Sequence, residues 1–358
     1  MRPNSKADNP SDAAGAVDAR RILDASGNRA REGLRVLEDY TRLVLDDAHL
    51  SACLKELRHQ LAEALGLLRV QELLASRETL RDVGTTISAP GEWDRPGIES
   101  VVRSNFARVQ EAVRSLEEYG KVLDAAFGRR MEQLRYQSYT LERAVLTTAS
   151  AVERLEAIRL YVLVHEGGCR LGLEATVRGA LAGGAEVIQL REKEVADRAV
   201  LGRARSVRQW TREAGVLFII NDRPDLAVLA HADGVHVGQE ELSVKDARRI
   251  VGPSRLVGVS THSIEQARQA VLDGADYLGV GPVFASRTKP FDGCAGLELV
   301  RQVAGEIRLP AFAIGGIDVE NVAAVVQAGA RRVAVSASVC GAADPSEAAR
   351  RLRASLDR

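Results

Sequence analysis

The residues of this chain that could do chemistry stand in short polar clusters, each closing an apolar run. The first is Gln189-Leu-Arg191-Glu-Lys193, which follows Ala185-Glu-Val-Ile188. On an extended segment alternate side chains share a face, so Gln189, Arg191 and Lys193 leave the strand end on one side. Two cations placed that way suit a polyanion such as a diphosphate. A solvated charge run would look the same in isolation, but related clusters recur downstream. They are Asn221-Asp222, Gly238-Gln239-Glu240, Ser260-Thr261-His262, Ser286-Arg-Thr288-Lys289, Gly315-Gly316 and Ser336-Ala337-Ser338. Arg191, Lys193 and Lys289 could together hold a highly charged anion. Asp222 and Glu240 are hard oxygen ligands suited to Mg²⁺ bridging phosphates. The glycines and the Ser336-Ala337 backbone could offer N–H groups to a second phosphate.

Plainer roles compete at single positions. Asp222, followed by Arg223-Pro224, could cap the next helix, and Glu240 could be an acid favoured by a helix N-terminus. His236 reads as packing and His262 as a polar residue at a helix start. The six histidines form no HExxH pair, so zinc is not expected.

Eight apolar runs must position these clusters. They are residues 160–164, 187–190, 217–221, 234–237, 256–259, 277–280, 311–314 and 333–335, with helical stretches such as 243–250, 263–272 and 297–303 between them. Eight strand–helix units predict an α/β fold, a (β/α)8 TIM barrel over 155–358, with its site at the C-terminal strand ends. The rival, an open doubly wound sheet, would carry a GxGxxG after its first strand, and none is present.

Before residue 155 the chain reads as helices with an internal repeat. Arg29-x-x-Glu32-x-x-Arg35-Val-Leu-Glu38-Asp-Tyr40 resembles Arg108-x-x-Glu111-x-x-Arg114-Ser-Leu-Glu117-Glu-Tyr119. Leu54-Lys-Glu-Leu-Arg58 likewise matches Met131-Glu-Gln-Leu-Arg135. Two helical hairpins, hence an all-α four-helix-type domain over 18–150, are expected after a loose tail at 1–17. Arg29, Glu32 and Arg35 fall on one helical face, as do Arg108, Glu111 and Arg114. These are either solvated salt-bridge stripes or the walls of a polar groove. Between the hairpins, Asp82-Val-Gly84-Thr85 could let backbone N–H groups approach an anion, or could be a plain interhelix loop.

Composition sets outer limits. The 358 residues suggest two domains. Lys plus Arg and Asp plus Glu both number 49, which argues against a general nucleic-acid binder. The four cysteines form no CxxC, which fits a reducing cytoplasm. No apolar run approaches the ~20 residues of a membrane helix, and no signal-peptide core opens the chain. Oligomeric state is not fixed by the sequence; a homo-oligomer is compatible with it.

As an ordered set, Gln-Leu-Arg-Glu-Lys193, Asn221-Asp222, Gly-Val-His-Val-Gly-Gln239, Gly-Val-Ser260-Thr-His, Gly-Pro-Val-Phe-x-Ser286-x-Thr288-Lys289 and Ile-Gly-Gly-Ile317 resemble thiamine phosphate synthase over roughly 158–350. The resemblance implies condensation of 4-amino-2-methyl-5-hydroxymethylpyrimidine diphosphate with thiazole phosphate. It implies that Arg191, Lys193 and Lys289 grip the diphosphate with Ser260, and that Asp222 and Glu240 hold Mg²⁺. Gln189 and Asn221 would orient the pyrimidine. Ser286, Thr288, Gly316 and the backbone around Ser336-Ala337 would receive the thiazole side. Glu240 stands where Asp is usual, Ser286 where Thr is common and Ala337 where Ser is frequent. The helical repeat resembles a domain fused ahead of some such synthases and associated with phosphorylation of hydroxymethylpyrimidine phosphate. That implies ATP as co-substrate, with Arg35, Arg114 and Asp82 as candidate residues. Two further readings stay open: a thiazole tautomerase-like barrel, and a synthase with a purely structural helical domain.

Overall fold

The computed structural model describes residues 10–78, 82–83, 94–285 and 295–357. The chain divides into two compact units, Met1–Arg143 and Ala144–Arg358.

The first unit is built from α1 (Pro10–Leu43), α2 (Ala48–Gly66), α3 (Val70–Ser76), α4 (Ile98–Leu123) and the start of α5 (Ala125–Arg154). Helix α1 begins at Pro10, so residues 10–17, expected as loose tail, are helical. The stretch is Ala-rich, and a proline is tolerated in a first turn. The short α3 is an addition to the two expected hairpins. Leu23, Ala30, Leu34 and Leu37 of α1 and Phe106, Val109, Val113 and Leu116 of α4 bury the apolar stripes of the two repeat copies. The copies meet closely at Gly33, where a Cβ would lie 2.7 Å from Val109 Cγ2.

The repeat extends to polar contacts. Arg58 Nε on α2 donates to Glu38 of α1 at 2.8 Å, and Arg135 Nε on α5 donates to Glu117 of α4 at 2.8 Å. Each copy thus ties its two helices with the same nearly buried acid and the same following arginine.

The second unit is a closed barrel of eight parallel strands in sequence order. The strands are β1 (Leu160–Val164), β2 (Val187–Leu190), β3 (Leu217–Asn221), β4 (Gly234–Val237), β5 (Leu256–Thr261), β6 (Tyr277–Val280), β7 (Ala311–Ile314) and β8 (Val333–Val335). They run apolar almost throughout, as strands buried on both faces must. Period-two alternation sends Tyr161, Val187, Ile219, Leu256, Tyr277, Phe312 and Ala334 to one contiguous core. Three acids fasten the strand starts in a repeating way. Glu186, Asp233 and Asp276, just before β2, β4 and β6, accept from the backbone N–H of Leu160, Phe218 and Val257 at 2.9, 2.8 and 2.7 Å. No helix among the described residues is long and apolar enough to cross a membrane.

Candidate active site

At the C-terminal strand ends lies a cavity of about 940 Å³. Its lining includes Gln189, Arg191, Lys193, Asn221, Asp222, Glu240, Ser260, Gly316, Ser336 and Ala337. The strand geometry explains the first three. Arg191 and Lys193 follow Gln189 on one side, whereas the intervening Glu192 takes an ion pair with Arg203 at 3.1 Å. Ser286, Thr288 and Lys289 lie outside the described residues.

Asp222 does not cap the helix that follows (Pro224–Leu229), whose N-cap residue Arg223 makes no side-chain cap bond. The residue sits in the left-handed region at φ 59°, and its N–H donates to His236 O at 2.7 Å. Its carboxylate accepts from Asn221 Nδ2 at 2.6 Å and lies 3.6 Å from Lys193 Nζ. Burial, then the neighbouring Glu241 carboxylate, hold Asp222 above the ordinary carboxylate range, against the opposing pull of Lys193 and Arg191.

Glu241, the residue after Glu240, thus also acts on Asp222. Glu241 lies 3.9 Å from Lys193 and folds back over Gly238, where an added Cβ would meet its Oε2. Glu240 also lines the cavity. Adjacent acids in Gln239-Glu240-Glu241 look alike in sequence, and only the backbone path separates them.

The cavity floor carries His236, read from sequence as packing, together with tyrosines from the apolar runs 160–164 and 277–280. Gln189 Nε2 donates to Tyr161 OH at 2.7 Å, and Tyr161 OH lies 3.1 Å from Tyr277 OH. Tyr277 OH lies 3.3 Å from His236 Nδ1, and His236 Nε2 lies 3.0 Å from Ser260 Oγ. Burial pushes His236 down to about 4, so its imidazole is neutral at neutral pH. Phe312 closes the floor edge-on, its ring 5.2 Å from Tyr161 and 5.6 Å from Tyr277. Two glycines make room: a Cβ at Gly258 would lie 2.1 Å from Tyr277 Cζ, and one at Gly279 3.2 Å from His236 Cε1. His262 turns from the floor, its Nδ1 2.5 Å from Gly281 O.

On the far wall, Gly315 and Gly316 adopt φ 106° and 62°, which admits the chain close beneath Pro282 and Ala285. The Ser338 hydroxyl is buried there and has no hydrogen-bond partner among the described residues.

In the helical unit, Arg35 and Arg114 are about half exposed. They pair with Glu38 at 3.7 Å and with Glu117 at 2.6 Å, each on its own helix. Asp82 is exposed, and the Gly84-Thr85 part of its loop lies outside the described residues.

Residues 160–339 match the family described as thiamine monophosphate synthase. A relative from Thermosynechococcus vestitus, named thiamine-phosphate synthase, is 42% identical over 93% of this chain and 93% of its own. The chain belongs to the thiamine monophosphate synthase family. Membership makes it a transferase of thiamine biosynthesis. A relative of the same name from Gloeobacter violaceus is 46% identical over 91% of this chain and 93% of its own. Both matches run through the helical unit as well as the barrel. A solved thiamine phosphate pyrophosphorylase from Pyrococcus furiosus is 37% identical and covers 56% of this chain and 96% of its own, with a TM-score of 0.51. Residues 21–144 match a second family, ThiD2.

Proposed function

We propose that the barrel, residues 155–358, joins 4-amino-2-methyl-5-hydroxymethylpyrimidine diphosphate to 4-methyl-5-(2-phosphooxyethyl)thiazole, forming thiamine phosphate and diphosphate. The observation that carries this reading is the convergence of Gln189, Arg191, Lys193, Asn221, Asp222 and Ser260 on one cavity. These are the residue types and positions of the family's motifs. Arg191 and Lys193, with Lys289 and Ser260, take the diphosphate. Gln189, whose Oε1 is buried and has no partner among the described residues, accepts a hydrogen bond from the pyrimidine, with Asn221 beside it. Gly316, Ser286, Thr288 and the Ser336-Ala337 backbone take the thiazole phosphate.

Mg²⁺ fits the acidic side of the cavity. Asp222 and Glu241 face each other closely enough to raise Asp222, and Lys193 stands between them as a cation would. Asp222 and Glu241, with Glu240 nearby, would hold it. Bound there, Mg²⁺ would neutralise diphosphate charge and improve it as a leaving group.

The residues of the chain account for the remaining chemistry. The methylene carbon–oxygen bond breaks with its electron pair leaving on the diphosphate, which Arg191, Lys193 and Lys289 stabilise. The aminopyrimidine donates electrons to the developing methylene cation. The thiazole nitrogen, held alongside, then forms the new carbon–nitrogen bond. No covalent nucleophile is required, only two anchored substrates in a site that excludes water. The test supplies the full-length chain with both substrates. Thiamine phosphate should form with Mg²⁺ and fail to form under exhaustive chelation. Full activity under chelation would remove the metal role.

For the helical domain, residues 18–150, we propose phosphorylation of hydroxymethylpyrimidine phosphate by ATP, which would give the diphosphate the barrel consumes. The match of 21–144 to ThiD2 and the duplicated Arg/Glu faces support it. A structural role is the second reading, favoured by the engagement of Arg35 and Arg114 with Glu38 and Glu117. The discriminating assay feeds the full-length chain pyrimidine monophosphate, ATP, Mg²⁺ and thiazole phosphate. Product that is lost in Arg35→Ala or Arg114→Ala, while the diphosphate-fed reaction survives, supports the kinase. Product only from the diphosphate makes the domain structural. A cytoplasmic enzyme fits both readings.

A further inference from the structure

We infer that His236 is a positioning residue whose Nε2–H fixes the Ser260 hydroxyl as a hydrogen-bond donor toward the diphosphate, through a relay whose direction Gln189 sets. The inference rests on the proposed contact between Ser260 and diphosphate.

The direction follows from counting protons along the floor. The Gln189 amide nitrogen only donates, and it gives a hydrogen to Tyr161 OH. Tyr161 must then place its own proton on the other oxygen in reach, Tyr277 OH. Tyr277 in turn donates to His236 Nδ1. A neutral imidazole that accepts at Nδ1 carries its hydrogen on Nε2, so His236 donates to Ser260 Oγ. Ser260 is left with its hydroxyl hydrogen free to point into the cavity.

Running the relay the other way fails. If Ser260 donated to His236 Nε2, Nδ1–H would donate to Tyr277, and Tyr277 to Tyr161. The Tyr161 proton would then face only the Gln189 amide hydrogens. Tyr161 is 2% exposed and Tyr277 2% exposed, so an orphaned hydroxyl there would be costly. With Gln189 Nε2 turned toward Tyr161, only this direction gives both tyrosine hydroxyls an acceptor within the relay. Its two ends face the ligand with opposite character, the Gln189 Oε1 acceptor and the Ser260 donor. Gly258 and Gly279 leave the space in which Tyr277 and His236 lie, so the relay is built into strands β5 and β6.

The test uses the full-length chain fed with pyrimidine diphosphate, thiazole phosphate and Mg²⁺. Asparagine ends near the place of Nδ1 and glutamine near that of Nε2. His236→Asn should lower kcat about 10- to 100-fold with little change in KM, and His236→Gln should recover most of that loss. Tyr277→Phe, a conservative change that keeps the ring, should lower kcat in the same direction. In Ser260→Ala, adding His236→Asn should have little further effect, because the two act through one bond. Nitrogen-15 NMR of histidine-labelled protein should show His236 protonated at Nε2. An impaired Ser260→Ala with fully active His236→Asn and Tyr277→Phe overturns the inference alone, as does an Nδ1–H tautomer. A fully active Ser260→Ala overturns the diphosphate contact and the inference with it.

Discussion

Replacing Asp222 by Asn should make the ligand-free protein more stable while abolishing its synthase activity. The Asp222 side chain is 21% exposed, and burial followed by Glu241 raises its carboxyl above the ordinary range despite Lys193 at 3.6 Å. An acid whose folded pKa is raised binds its proton more tightly in the folded state than in the unfolded one. Stability therefore falls as pH rises from the unfolded value through the folded one, and the deficit persists at neutral pH. Asn removes the charge, keeps an acceptor for Asn221 Nδ2, and tolerates φ 59° at least as well. The gain should be on the order of 1 kcal/mol, as for other relieved functional sites. In a domain of this class that is roughly 2–4 °C in Tm. The assay is thermal unfolding in chelator from about pH 4 to about pH 8, where wild type should lose stability relative to the variant as pH rises. Adding Mg²⁺ should then raise the wild-type Tm and leave the variant's nearly unchanged. A variant no more stable than wild type at neutral pH without metal, or one that responds equally to Mg²⁺, would refute the reasoning.

Arg191→Ala should slow the diphosphate-fed reaction about 10²-fold or more with Tm preserved, measured by product formation and thermal unfolding. Gly258→Ala drives a Cβ into the Tyr277 ring and should cost about 1–3 kcal/mol in urea unfolding, with kcat falling as well. Glu117→Gln should cost about 1–3 kcal/mol, because Glu117 is 2% exposed and takes Arg135, Arg114 and Lys121. Burial pushes the Glu117 carboxyl up, but hydrogen bonds from Arg135 and Lys121 prevail and lower it. Its contribution is thus present above the unfolded carboxylate pKa and is lost as pH falls through the folded value, so the variant's deficit should shrink in acid.

The barrel was legible because its signals are local. Apolar runs ended by polar clusters gave seven strands their observed bounds, and only β5 runs on, to Thr261. The alternation that put Gln189, Arg191 and Lys193 on one side is a property of any extended chain, so those positions could be anticipated. That Glu241 as well as Glu240 would line the cavity could not, since it depends on how the chain turns after β4. The floor relay was hidden for another reason. A tyrosine within Leu160–Val164 or Tyr277–Val280 reads as packing, and its partner lies 116 residues away. The same holds for Cys340, whose thiol donates to Leu163 O at 3.3 Å although the two residues lie 177 positions apart. In the helical unit the repeat foretold the hairpins, and the matching Glu38–Arg58 and Glu117–Arg135 pairs sit where the two motifs align.

The aromatic floor has a consequence for kinetic order. Tyr161, Tyr277 and Phe312 seal the barrel beneath the cavity, so ligands reach the floor only past whatever already occupies the strand ends. Gln189, 2% exposed, belongs to that floor. With the pyrimidine directed to Gln189 as proposed, we expect it to be seated before thiazole phosphate occupies the strand ends. Thiazole phosphate that arrives early blocks the way down. Its rising concentration should produce substrate inhibition that yields to more pyrimidine diphosphate, the signature of a queue imposed by depth.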